Sequence, residues 1–91
     1  MRLKEITSLL DLKYDKNKAG AYQVTSDAFK MRDGAGTDKK QLCVLAKGTI
    51  FTTDGDYAVD KNGWVWLYGT AKSGKVSYKG FCCAKTYLKK V

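Results

Sequence analysis

The spacing of apolar and polar positions changes once along this chain. In residues 2–14, Leu3, Ile6, Leu9 and Leu10, then Lys13 or Tyr14, recur at intervals of three or four, with Lys4, Glu5 and Asp11 elsewhere. That interval gathers one apolar stripe on a helix. A lone helix this short is marginal in water and needs a partner surface. The domain itself, a second copy or a neighbouring domain would supply one. The stretch Asp15–Gly20 carries no large apolar anchor and ends in Gly, so it reads as a linker. Residues 1–20 are thus predicted as an N-terminal helix and linker, and residues 21–91 as the domain.

From Ala21 onward the period is two. Tyr22–Val24, Ala28–Arg32, Gln41–Ala46 and Thr49–Thr53 read as strands, with a tight turn at Lys47-Gly48. Asp54-Gly55 is a hairpin signal, and Tyr57–Val59 follows as a short edge strand. Asn62-Gly63 opens a strand at Trp64, Ser73-Gly74 turns into Lys75–Tyr78, and Gly80–Cys83 follows. The last segment, Lys85–Leu88, is expected to form one helical turn that plugs the end of the fold. Five to seven short strands at this spacing predict an all-β domain, a small antiparallel barrel or sandwich.

The strand after Asn62-Gly63 carries three rings. Trp64, Trp66 and Tyr68 share one face and Val65 and Leu67 the other, because side chains alternate along a strand. The aliphatic pair is expected in the core. Trp64 is expected to pack over a barrel end, leaving Trp66 and Tyr68 exposed. Exposed Trp and Tyr offer flat apolar area with a hydrogen-bonding handle, which suits a binding surface. Lys72, Lys75 and Lys79 would rim it.

Composition narrows the possibilities. Ninety-one residues, 44% of them hydrophobic, support one small domain. No apolar run approaches the ~20 residues that span a bilayer, and Glu5 and Asp11 interrupt the N-terminus where a secretory signal would be apolar. Work outside a cell would require another route of release or membership of a longer chain. The net charge is +8, and it is uneven: Lys61–Val91 holds seven Lys and no acidic residue. Such a surplus attracts polyanions, whether nucleic acid, an acidic membrane or the anionic polymers of a bacterial wall.

Catalytic chemistry finds little to work with. There is no His, which removes the commonest general base and metal ligand. Cys43, Cys82 and Cys83 make a poor three-thiolate site with no fourth ligand, and are expected to be reduced and partly buried. Asp54 with Asp56, and Asp33 with Asp38, lie in turns without a recognisable catalytic context. No catalytic residue, metal site or cofactor is predicted. Gly34-Ala35-Gly36 is too short for a phosphate loop and is followed by a strand. It reads as a flexible loop of the kind that flanks a groove.

The order of these segments resembles the bacterial SH3-like domains of cell-wall hydrolases and phage endolysins. The shared steps are Phe29-Lys30-Met31-Arg32, the loop Asp33–Thr37, the turn Leu45-Ala46-Lys47-Gly48-Thr49, Asn62-Gly63-Trp64, Gly80-Phe81-Cys82 and Tyr87-Leu88. The likeness runs from Tyr22 to Leu88. Cys43 stands where that family often has Gly, Phe81 replaces the usual Trp, Trp66 sits where a polar residue is common, and Tyr68–Lys79 is longer than the minimal pattern.

The resemblance implies an SH3-like barrel acting as a non-catalytic module that holds an endolysin or autolysin on peptidoglycan, at the bacterial cell wall. Its ligand would be a wall peptide or an anionic wall polymer, and its partner a catalytic hydrolase domain in the parent protein. By position, the family's groove falls on Tyr22, Asp33 and Thr37; Trp66 and Tyr68 are added from the alternation. Self-association through residues 2–14 is a further expectation. The alternative is a basic small barrel that binds nucleic acid, since positive charge with exposed rings also marks single-strand binders. A domain for Pro-rich peptides fits less well, because the C-terminal third lacks the acidic patch that such grooves carry.

Overall fold

The computed structural model describes residues 12–84 and 87–91. Among the described residues there is no α-helix. The elements are β1 (Lys13–Tyr14), a 3-10 turn (Lys16–Lys18), β2 (Gly20–Val24), β3 (Phe29–Arg32), β4 (Gln41–Leu45), β5 (Ile50–Val59), β6 (Val65–Ser73), β7 (Val76–Cys83) and β8 (Leu88–Lys90). They form one antiparallel sheet in the order β4-β3-β7-β6-β5-β2-β8, with β1 also paired to β5. The all-β domain expected from the strand spacing is therefore what the chain forms.

Alternation decides which side chains fill the interior. Val24, Met31, Leu45, Phe51, Leu67 and Cys82 come from six different strands and meet in one cluster, all essentially inaccessible to water. A sheet whose strands all send alternate residues to one cluster must roll around it. Each large apolar side chain so buried stabilises the fold by about 1.5–3 kcal/mol. At the rolled sheet's margin the hydroxyl of Ser73, at the end of β6, donates to the carbonyl of Val44 in β4 at 3.0 Å. The outer face carries a second, smaller cluster of Ala58, Trp66 and Phe81, against which Leu12, Ala35, Tyr68 and Cys83 pack.

Several expectations about the elements are corrected. Most of the helix expected over residues 2–14, and the self-association assigned to it, lie outside the described residues. At its end, however, Lys13 and Tyr14 are strand, paired with Tyr57 and Asp56 of β5. The expected linker is also part of the domain. Asp15 caps the 3-10 turn by accepting from the Asn17 N–H at 2.9 Å, and its own N–H donates to Gly55 at 3.0 Å. The Lys90 ammonium donates to the Asn17 carbonyl at 2.9 Å. The physical reason is the length of β5: its edge pairs with β2 from Ile50 to Thr53 and still offers backbone groups beyond, which β1 takes up.

Asp54-Gly55 does not turn the chain. Strand β5 runs through it, with a register shift against β6 between Thr53 and Tyr57. The surplus residues form a bulge. Gly55 sits at φ +112°, and a Cβ there would lie 2.5 Å from the Asp15 carbonyl oxygen. Its N–H donates to Thr53 Oγ1 at 3.1 Å, while the Thr53 hydroxyl donates to the Tyr68 carbonyl at 2.6 Å. The buried threonine thus replaces a ladder bond that the bulge interrupts, as buried backbone groups require. Tyr57–Val59 is accordingly no edge strand: it continues β5, with β6 beside it.

The helical turn expected at Lys85–Leu88 falls partly outside the described residues, and Leu88 begins a strand. It pairs with Val24, on the edge of β2 that β5 leaves open. Leu88 packs onto the main cluster, so the C-terminal segment closes the fold by pairing.

Candidate functional site

The Gly-rich loop and the Asn-Gly turn face each other. Between them lies a cleft of about 140 Å³ lined by Gly36, Thr37, Lys39, Asp60, Lys61 and Asn62, with Ala35 and Asp38 beside them. Each wall is held by identifiable bonds. The Asp33 N–H donates to the Lys40 carbonyl at 2.9 Å and Asp33 Oδ1 accepts from the Lys40 N–H at 3.1 Å. The Arg32 guanidinium donates to the Lys39 carbonyl at 2.9 Å. These bonds cross the base of the loop, so Asp33 and Lys40 act as its clasp.

Asp60 builds the other wall. Its Oδ1 accepts from the N–H groups of Asn62 (2.8 Å) and Trp64 (3.0 Å). The Asp60 N–H and carbonyl pair with Trp64 and Gly63, both at 3.0 Å. The second carboxylate oxygen accepts from the Trp66 indole N–H at 2.9 Å. Desolvation pushes the Asp60 pKa up, but the bonds from Trp66, Trp64, Asn62 and Gly63 together outweigh it and leave the carboxyl below its usual value.

Trp66 lies between the two walls. It is 3% exposed, whereas Trp64 is 42% exposed. The expectation that Trp64 is covered and Trp66 presented to solvent is therefore reversed. Alternation correctly places Trp66 on the outer face of β6, but Ala58 on β5 and Phe81 on β7 flank it there and Ala35 and Leu12 pack against the cluster. Its ring touches the loop side through this cluster, and its N–H holds the turn through Asp60. Trp66 positions the cleft and offers no open face to a ligand.

The other expected site residues separate. Thr37 is exposed and lines the cleft. Asp33 is exposed at the foot of the same loop and spends one carboxylate oxygen on Lys40. Tyr68 is half-buried, tilted against Phe81 with ring centroids 4.8 Å apart, and the Lys79 ammonium sits 5.4 Å from its ring centroid. It lines a neighbouring depression with Asp54, Asp56, Thr70 and Lys79. Tyr22 belongs to neither. Its hydroxyl donates to the Lys18 carbonyl at 2.7 Å and the Lys90 ammonium lies 5.9 Å from its ring centroid. Burial is the larger reason its hydroxyl pKa is raised, with the charge of Asp15 adding to it. Tyr22 ties the 3-10 turn to β8.

Asp60, Lys61 and Asn62 are site residues that the sequence reading missed. The available signal was an Asp two residues before Asn-Gly, an arrangement in which the carboxylate bonds to its own turn's N–H groups. Among the described residues, no group of three or more Cys, Asp or Glu is placed to hold a metal ion, and no helix is long and apolar enough to cross a membrane. Cys43 and Cys82 are buried and free.

Compared with protein-family models, with characterised proteins and with solved structures, the chain matches none. The site must therefore be read from its own chemistry. The cleft offers two ammonium groups, the Asp38 carboxylate, a hydroxyl and a side-chain amide around a narrow slot. That set suits a short peptide segment with both charged and amide groups, and lacks a nucleophile paired with a base.

Proposed function

We propose that this domain is a non-catalytic wall-binding module that holds a peptidoglycan hydrolase of the endolysin or autolysin type on the bacterial cell wall. The observation that carries the reading is the cleft between the loop Asp33–Lys39 and the turn Asp60–Asn62, both walls anchored on Trp66. A slot of about 140 Å³ takes a few peptide units and no folded partner. The ordered resemblance from Tyr22 to Leu88 supports the same reading, and the surplus of Lys would raise the encounter rate with an anionic wall. In this reading Thr37 and Asn62 meet the peptide, Lys39 and Lys61 meet its carboxylates, and Asp33 and Trp66 hold the walls in place.

The experiment is sedimentation of the full chain with purified Gram-positive walls stripped of phosphate polymers, so that only peptidoglycan remains. Binding is expected, and Thr37→Glu with Asn62→Asp should weaken it. Absence of binding to such walls from several species overturns the reading. A steep salt-dependent shift with oligonucleotides instead would move the domain to the nucleic-acid class.

A further inference from the structure

The chain contains one Asn-Gly step, Asn62-Gly63, and the fold places Asn62 in the wall of the cleft. Both residues are exposed. An asparagine side-chain amide is an electrophile within reach of the next residue's backbone nitrogen, and that residue's side chain is what usually obstructs the approach. Gly63 has none. It sits at φ +85°, and even an added Cβ would meet nothing within 4 Å, so the space around it is open. The other asparagine, Asn17, is also exposed but is followed by Lys18, whose side chain crowds the nitrogen.

The turn opposes this reaction without preventing it. The Gly63 N–H donates to the Asp60 carbonyl at 3.0 Å, so the nitrogen that must attack is engaged. Asp60 Oδ1 holds the N–H groups of its two neighbours, Asn62 and Trp64. Bringing the Gly63 nitrogen onto Asn62 Cγ requires the peptide between them to rotate out of the turn and give up its bond to Asp60.

We propose that Asn62 is a self-modifying site, converted with water to a carboxylate-bearing residue at a rate that Asp60 sets. In the step, the Gly63 nitrogen gives its proton to hydroxide and forms a bond to Asn62 Cγ, and the side-chain nitrogen leaves as ammonia. Water then opens the cyclic imide at either of its carbonyls. One opening leaves aspartate; the other leaves isoaspartate, with the backbone routed through the former side chain. Both carry a new negative charge. The cleft is lined by Lys39 and Lys61 against Asp38 and Asp60, an even balance that a carboxylate at residue 62 tips to negative. Isoaspartate also lengthens the turn and misplaces the N–H groups that Asp60 holds. On the reading of the cleft as a peptide site, either product lowers its affinity for carboxylate-bearing peptides, so the module's hold on its ligand declines with age.

The test is incubation of the full chain in mildly alkaline buffer made with water labelled with heavy oxygen, followed by peptide mass spectrometry. The label is expected in a new carboxylate at residue 62 and not at Asn17. The folded chain should convert about tenfold more slowly than the chain unfolded in guanidinium, because the turn must first open. Asp60→Ala should bring the folded rate to within about threefold of the unfolded one. Trp66→Phe, which removes one of Asp60's bonds and keeps most of the packing, should quicken conversion about threefold and guards against loss of fold. No conversion in the folded parent while the unfolded chain converts overturns the proposal. So does conversion at the unfolded rate, and so does a parental rate in both variants, since Asp60 would then control nothing. Converted protein, separated by ion exchange, should sediment less with polymer-free walls than unconverted protein; equal sedimentation overturns the effect on the cleft. Because the mass measurement needs no ligand, failure of the parent chain to bind walls would count against the cleft reading alone.

Discussion

The indole N–H of Trp66 donates to Asp60 Oδ2 at 2.9 Å, and this bond joins the outer face of β6 to the turn that forms one wall of the cleft. Because the other carboxylate oxygen holds the N–H groups of Asn62 and Trp64, a single side chain sets the shape of the turn. Asp60→Ala should lower the urea midpoint of unfolding with little change in its slope, and should weaken wall sedimentation more than Thr37→Ala does. Equal wall binding by Asp60→Ala and the parent protein would show that the turn's shape is irrelevant to the ligand.

The same bonds make Asp60 an acid-sensitive element. Its folded pKa lies below the ordinary carboxylate value, so the unfolded chain binds more protons there at mildly acidic pH. The stabilisation is complete above the unfolded pKa of about 3.9 and is lost as pH falls through the folded value. Asp60→Asn should therefore show a shallower fall in stability below pH about 4 than the parent chain, read from denaturant midpoints at a series of pH values.

Trp66→Ala should destabilise the domain by about 3–5 kcal/mol, as large-to-small changes at buried aromatics do. Trp66→Phe should keep most of the packing but lose the bond to Asp60, and so weaken wall binding while remaining folded. Chemical denaturation and circular dichroism separate the two. A folded Trp66→Ala protein of parental stability would place the ring on the surface after all.

Gly55→Ala should destabilise by more than about 1 kcal/mol, because φ is +112° and the new Cβ would sit 2.5 Å from the Asp15 carbonyl oxygen. The loss should include the pairing of β1. Amide exchange at Asp15, whose N–H donates to Gly55, should quicken with it. Unchanged exchange there would mean that the bulge and β1 are independent.

Burial pushes the Cys82 thiol far up, with the neighbouring Cys43 and Cys83 adding to the effect, and burial raises Cys43 as well. In a Cys83→Ser chain, a disulfide-exchange reagent at pH about 8, near the ordinary thiol pKa, should find no reactive thiol until denaturant is added. Rapid reaction in the native state would show that the core around β4 and β7 opens readily.

The strands, most of their turns and the alternation in β6 were legible in the sequence because they depend on neighbours two residues apart. Gly and Asn at the turns mark positions that few other residues occupy, and the two faces of Trp64–Tyr68 follow from the pleat alone. The Gly-rich run marked Asp33–Thr37 as a loop of the kind that flanks a groove, whereas the place of Thr37 in that groove was implied by the resemblance. What residue spacing could not show is which of two outward-facing rings is covered. Trp66 is buried because Ala35 packs from a loop some thirty positions earlier and Phe81, diagonal to it on β7, joins its cluster, whereas Trp64, on the same face, is 42% exposed.

The sequence by itself determined an all-β domain, its interior side chains and a charge surplus carried by its last third. Tertiary structure decided whether Asp54-Gly55 turned or bulged, because the outcome depends on Asp15 and Thr53 supplying partners to the displaced backbone. It also decided how the late Lys residues are distributed: Lys79 stands over the Tyr68 ring, Lys61 lines the cleft, and Lys90 ties the C-terminal strand to the 3-10 turn. Local pattern reports what a residue prefers; only the folded chain brings distant residues close enough to cover, bond or neutralise it.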